Sequence, residues 1–172
     1  MLQRFATLAL VTATGCQPAA PGPDPNLTGL LDRQAIEQLL AGDYPHALDT
    51  RDFDAYAALF TEDGELSLAG DTVKGRAAIK AFVAALPAEP RVIHPITNLS
   101  YTIAGDTATG GAYWQDIGLA GSTPAVLIAG RYEDTLRKIN GEWRIAERNI
   151  VIEFAPPAAA TQSADALDEV VP

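Results

Sequence analysis

Cysteine is nearly absent from the chain: Cys16 is the only one in 172 residues. No internal disulfide can form, and nothing beyond residue 16 offers a thiol for metal binding or nucleophilic attack. Histidine is almost as scarce, with only His46 and His94. Neither has a partner at a zinc-type spacing such as HExxH, so no metal site is expected. Positive charge is also short. Twelve Lys and Arg stand against 22 Asp and Glu, for a net charge of −10. The basic residues are scattered among acidic ones, as in "RYEDTLRK", and form no patch that would draw in nucleic acid or an anionic surface. What the chain does have is apolar residues at 48% of the total, enough for a well-packed core in one domain with appendages.

The first residues, "MLQRFATLALVTATGCQPAA", have the layout of an export signal. Arg4 supplies the positive end, residues 5–11 are apolar but too short to remain as a spanning helix, and small residues lead to Cys16. Residues 1–16 thus read as a signal peptide whose "ATGC" end resembles a lipobox, with Cys16 as the lipidated residue. Ala13 stands where such boxes usually carry leucine, so an ordinary cleaved signal is the alternative. The expected location is the bacterial cell envelope or periplasm, with membrane contact only through the lipid. Residues 17–29, rich in Pro, Gly and Ala, read as a flexible tether, and residues 155–172 as a disordered tail. A single domain remains at residues 30–154.

Within it, Leu31, Ala35, Leu39, Tyr44 and Leu48 recur near helical spacing, and Pro45 should kink or split that helix. "DFDAYAALF" reads as a second helix capped by Asp52, and "GRAAIKAFVAALP" as a third, stopped by Pro87. "TEDGELSLAG" turns into a strand, and from Arg91 onward four long strand segments follow. Asn140 and Gly141 tolerate the positive φ of a two-residue hairpin. With Ile139 opposite Glu142, the register pairs Leu136 with Ile145, Asp134 with Glu147 and Tyr132 with Asn149, and sets Glu133 opposite Arg148 as an exposed ion pair. A bulge would swap the faces. The expected class is α+β: three helices packed on a highly curved, mostly antiparallel sheet.

The order and spacing of "YPHALDTRDFDAYAALFTEDGEL", "GRAAIKAFVAAL", "VIHPITN" and "GRYEDTLRKINGEWRIAER" resemble the SnoaL-like branch of the nuclear-transport-factor-2-like superfamily. The resemblance covers residues 30–154. It implies a cone-shaped α+β barrel, a deep hydrophobic pocket between helices and sheet, and a homodimer formed through the sheet. Fold alone does not decide the activity. The chain is most similar in pattern to scytalone dehydratase. That similarity implies Asp49 as a helix-borne acid–base residue and His94 as a pocket histidine, with Tyr132 in place of a pocket asparagine. A second pocket histidine falls near Gly118 and a water-orienting tyrosine at Leu68, so half of that machinery is missing.

An imidazole paired with a carboxylate can move a proton near neutral pH without metal or cofactor. Asp49 and His94 are the candidate catalytic pair, and His46, three residues before Asp49, is a candidate third member. Candidate ligand contacts are Tyr56, Phe60, Asn98, Trp114, Asp116 and Tyr132. Trp114 and Asp116 share one face of a strand, and Asn98 would share the side of His94 if that strand is unbulged. Each has a plainer role open to it: a helix cap for Asp49, core packing for Trp114, Tyr56 and Phe60, a surface position for His46. Two functions stand: a cofactor-independent lyase or isomerase acting on a small oxygenated hydrophobic molecule, or a non-catalytic ligand-binding or protein-interaction module. Support of a larger oxygenase fits the leader poorly. Mass spectrometry of the mature protein tests the leader: a lipid-bearing Cys16 at the N-terminus is expected, and an unmodified N-terminus at another residue contradicts it.

Overall fold

The computed structural model describes residues 24–88 and 91–155; the stretch read as an export signal, with Cys16, and residues 156–172 lie outside the described residues. Helix α1 (Pro25–Glu37) begins within the stretch read as a tether, because the Asp24 side chain accepts the backbone N–H of Asn26 at 2.8 Å and caps it. The chain continues through a π-helical turn (Gln38–Asp43) into α2 (Tyr44–Asp49). Pro45 causes this. It offers no N–H to the turn before it, and the helix widens there, with the Tyr44 N–H reaching the Leu39 carbonyl, instead of breaking. The buried face of this helical arm is Ile36, Leu39, Leu40, Tyr44 and Ala47. Leu31 and Ala35, expected inside, are exposed. Asp32 takes the inward position and accepts from Lys138 Nζ at 2.6 Å and Trp143 Nε1 at 3.0 Å, which ties α1 to the far hairpin.

Helix α3 (Phe53–Ala58) is capped by Asp52, whose side chain accepts from Ala55 N at 3.0 Å. Strands β1 (Phe60–Leu68) and β2 (Asp71–Lys74) precede α4 (Arg76–Ala85), and β3 (Ile96–Ala104), β4 (Thr107–Ala120), β5 (Thr123–Ile139) and β6 (Glu142–Phe154) complete one sheet. The strand order is β2-β1-β6-β5-β4-β3, with β1 parallel to β6 and every other pair antiparallel. The sheet is curved but open, with β2 and β3 at its edges, so the expected cone is present without closure into a barrel. No described helix is long and apolar enough to cross a membrane.

The β5–β6 hairpin departs from its expected register in one place that matters. Asn140 and Gly141 take φ of 54° and 86°, and Ile139↔Glu142 and Leu136↔Ile145 pair as read from the sequence. Between Leu136 and Thr135 the register shifts, and Thr135 faces Glu147. Ala146 is the extra residue of a β-bulge. Asp134 now faces Arg148, Glu133 faces Asn149 and Tyr132 faces Ile150. Arg148 is therefore turned inward, where its side chain and that of Asp134 are both 0% exposed. The pair is bidentate, Nε to Oδ1 and Nη2 to Oδ2, each 2.8 Å. The guanidinium lies 4.1 Å over the Tyr44 ring and 3.9 Å over the Tyr132 ring, and the Tyr101 hydroxyl donates to Asp134 Oδ2 at 2.5 Å. Glu133, left outside, accepts from Asn149 at 2.9 Å.

Removing one member of such a buried pair strands the other charge. Asp134→Asn should therefore lower unfolding free energy by about 3–5 kcal/mol, whereas Glu133→Gln on the surface should change it by less than about 0.5 kcal/mol. Urea denaturation measures both. Equal effects would mean that Arg148 pairs with Glu133, as the unbulged register requires.

Candidate active site

Asp49 is the last residue of α2, a place where a carboxylate meets the negative end of the helix dipole. Helix capping is not its task, since Asp52 caps α3. It turns instead toward the segment between α4 and β3. There His94 Nδ1 stands 2.5 Å from Asp49 Oδ1, and the His94 backbone N–H donates to Asp49 Oδ2 at 3.4 Å. His94 is held by its neighbours: Ile93 and Ile117 exchange both backbone hydrogen bonds, at 2.9 and 3.0 Å, and Gln115 N donates to the Pro95 carbonyl at 3.2 Å. This clamp lays residues 93–95 along β4, so the other ring nitrogen, Nε2, meets Asp116 Oδ1 at 3.1 Å.

The ring thus lies between two carboxylates. The side chains of His94, Asp49 and Asp116 are 14%, 26% and 19% exposed, screened but reachable. Asp116 Oδ1 is buried and makes no well-aligned hydrogen bond, so its contact with Nε2 is chiefly electrostatic. Burial raises the Asp116 pKa above the ordinary carboxylate value; His94 pulls it down and Asp49 pushes it up. Because the carboxylates sit on opposite nitrogens of one ring, the three groups cannot converge on a single ion.

Trp114 shares the inner face of β4 with Asp116 and is buried, its ring stacked on Tyr132 at 5.8 Å and 21°. Tyr132 is buried in the Arg148 sandwich, and the Tyr56 hydroxyl bonds that of Tyr44 at 2.7 Å. Tyr56 and Phe60 are core, with ring centroids 5.6 Å apart. His46 also departs from expectation. Its side chain is exposed, because α2 buries Tyr44, Pro45 and Ala47 on its other side. Asn98 is exposed too: its φ of 54° lies in a register shift between Thr97 and Ser100, which breaks the alternation that would have set it beside His94. At Gly118, where a second histidine would fall, an added Cβ would lie 2.9 Å from Leu127, 3.0 Å from Val92 and 3.1 Å from the Arg91 carbonyl oxygen, so a side chain there requires its neighbours to shift.

The sequence reading gave Asp116 only a ligand contact and missed the internal role of Arg148, Asp134 and Tyr101. The interior between helices and sheet is occupied by Tyr44, Tyr56, Tyr132 and Arg148. A depression of about 310 Å³ lies by the sheet; it is lined by polar groups including Glu65, Ser67, Glu133 and Glu147, and His94 is not among them.

A family model described as a SnoaL-like domain matches residues 28–149. Among solved structures, a variant of Rv3472, a protein of unknown function from Mycobacterium tuberculosis, is similar with a TM-score of 0.76 and 28% identity over 84% of this chain and 92% of that one. A candidate scytalone dehydratase from Novosphingobium aromaticivorans is similar with a TM-score of 0.66 and 25% identity, covering 75% of this chain and 89% of that one. LinA is similar with a TM-score of 0.67 and 26% identity over 77% and 99% of the two chains. No match is found among curated protein sequences.

The raised Asp116 pKa has a consequence for stability. The folded state binds this proton more readily than the unfolded chain, so stability falls as pH rises from the ordinary carboxylate range through the raised folded value, and the deficit persists at neutral pH. Asp116→Asn should therefore raise the melting temperature at pH 7, with the gap over the parent closing as pH falls toward ~3. A variant less stable than the parent at neutral pH would contradict this.

Proposed function

The chain belongs to the SnoaL-like family, and from that premise we propose that it is a cofactor-independent lyase or isomerase that moves a proton within a small, oxygenated, hydrophobic molecule. The observation that carries this reading is one imidazole held between two carboxylates, Asp49 at Nδ1 and Asp116 at Nε2.

Asp49 accepts the Nδ1 hydrogen and so fixes the ring's tautomer and angle. A bare Nε2 lone pair facing a carboxylate at 3.1 Å would be repelled, so one of the two groups carries a proton. With that proton on His94, Asp116 is the base: it takes hydrogen from the carbon next to a carbonyl, and the C–H electron pair moves into the carbonyl to give an enolate. His94 gives its Nε2 proton to a hydroxyl on the next carbon. That hydroxyl leaves as water, and the enolate electrons close the new C=C bond. Asp116 then returns its proton to His94 across the 3.1 Å contact, and the array is restored. Where no leaving group is present, the proton returns to a different carbon and the outcome is isomerisation. In this scheme Asp116 fills the place of the missing second histidine.

A second reading has its own support. Tyr44, Tyr56, Tyr132 and Arg148 are buried together between helices and sheet, and such a packed interior favours a module that binds a ligand or a partner without converting it. A panel of cyclic β-hydroxy ketones separates the two, scored for enone absorbance and for hydrogen exchange in D₂O. Proton-transfer catalysis predicts turnover that falls by about 10²–10⁴-fold in His94→Ala and Asp49→Asn, with circular dichroism confirming that each variant is folded, and that is unchanged in His46→Ala. Turnover that survives both variants sinks the proposal, and binding without turnover supports the module.

A further inference from the structure

The first two turns of α1 reverse the polarity of an ordinary surface helix. The inward side of this helix holds Asp32 and Ile36, while Leu27, Leu30 and Leu31 are 55%, 65% and 56% exposed. With Gln34, also exposed, the three leucines stand at i, i+3, i+4 and i+7, so they share one side of the helix. None of the four carries a charge, and pressing that side against an apolar medium would desolvate no ion. Single exposed leucines are ordinary, but three on one helix side make a contact surface. The helix is also no loose appendage. Asp32 accepts from Lys138 Nζ and Trp143 Nε1, at 2.6 and 3.0 Å, so whatever holds α1 holds the sheet at the same attitude.

Size and position choose the occupant. A stable protein interface buries ~800 Å² on each partner, and three leucine side chains supply only a fraction of that. A bilayer asks for less, because a few apolar side chains sunk to the headgroup boundary suffice when something else keeps the protein close. Cys16, the residue expected to carry lipid, lies eight residues before the Asp24 cap of α1. Even fully extended, the chain between them reaches only roughly 28 Å. We infer that the Leu27, Leu30 and Leu31 side of α1 rests on the membrane, its leucines in the headgroup boundary of a zwitterionic phospholipid leaflet. At 13 residues the helix lies along the surface and does not cross it. The net charge of −10, with Arg33 as the one basic residue of α1, gives no attraction to anionic lipid. A lipid at Cys16 alone would leave the domain free to turn on its tether. The helix contact removes that freedom and, through Asp32, sets the attitude of the sheet to the membrane.

Cys16 is the only thiol, so the full chain can be coupled there to a maleimide-bearing lipid, which sets the tether without relying on cellular acylation. The probe is a vesicle of phosphatidylcholine and phosphatidylethanolamine whose acyl chains carry a photoactivatable diazirine. After illumination, peptide mass spectrometry locates the lipid carbons attached to the protein. Attachment is expected at Leu27, Leu30 and Leu31, and not at Ile93, Leu119, Val126 or Phe154, which are exposed apolar side chains outside α1. Leu30→Ser combined with Leu31→Ser should lower the attachment to α1 by about tenfold. The melting temperature should stay unchanged, because neither leucine belongs to the core. Attachment confined to residues 17–23, or found at Val126 and Phe154 instead, would overturn the inference. So would attachment to α1 that appears only after phosphatidylglycerol is added, or that survives the double serine variant.

Discussion

A fully buried ion pair, Arg148 with Asp134, organises this molecule. It exists only because Ala146 adds a residue to β6 and turns Arg148 to the inside. Two charges without solvent are tolerable when strong partners surround them, and here the bidentate contact, the Tyr101 hydroxyl and two aromatic rings do so, although Arg148 Nη1 has no hydrogen-bond partner. The rings extend the consequences outward. Tyr44 begins α2, the six-residue helix that ends in Asp49. Tyr132 supports Trp114, which shares its strand face with Asp116. Both carboxylates that hold His94 are thus tied to the same guanidinium, Asp49 through the ring of Tyr44 and Asp116 through those of Tyr132 and Trp114.

That connection explains how a site with little scaffold of its own stays in register. Asp49 comes from the end of a short helix, His94 from a segment between α4 and β3, and Asp116 from the sheet. The Ile93–Ile117 bridge fixes the second against the third, and the stack around Arg148 fixes the first. The SnoaL-like fold hosts many chemistries, so the particular groups matter more than the architecture. Here Gly118 and Leu68 stand where scytalone dehydratase, by the sequence resemblance, has a histidine and a tyrosine, and Leu127 and Val92 pack against Gly118. A carboxylate with a raised pKa at the opposite ring nitrogen gives the site a different proton inventory.

Much of the frame was legible in the sequence because it rests on local rules. Asp52 caps a helix, Asn140–Gly141 closes a hairpin, and strand alternation puts Trp114 and Asp116 on one face against Tyr113 on the other. Pro45 announced a disturbed helix, although periodicity alone could not say that a π turn would absorb it. What could not be read were single-residue shifts. The bulge at Ala146 reverses Glu147, Arg148 and Asn149, and the left-handed Asn98 reverses the face of β3. One residue in or out moves every later side chain to the other face, and neither position carries a glycine to flag it. His46 failed for a related reason: spacing placed it near Asp49, but Tyr44, Pro45 and Ala47 take the inward side of the helix. The one available hint of the buried pair was the density of charge in "GRYEDTLRKINGEWRIAERN", within strands long enough to require a buried face.

Everything proposed about mechanism depends on a hydrogen shared between a ring nitrogen and the strand-borne carboxylate. Neutron diffraction from a deuterated crystal locates that hydrogen directly. Nuclear density is expected on the Asp49 side of Nδ1, with a second hydrogen between Nε2 and Asp116 Oδ1. A bare Nε2 facing an ionised Asp116, or an imidazole rotated away from either carboxylate, would contradict the account.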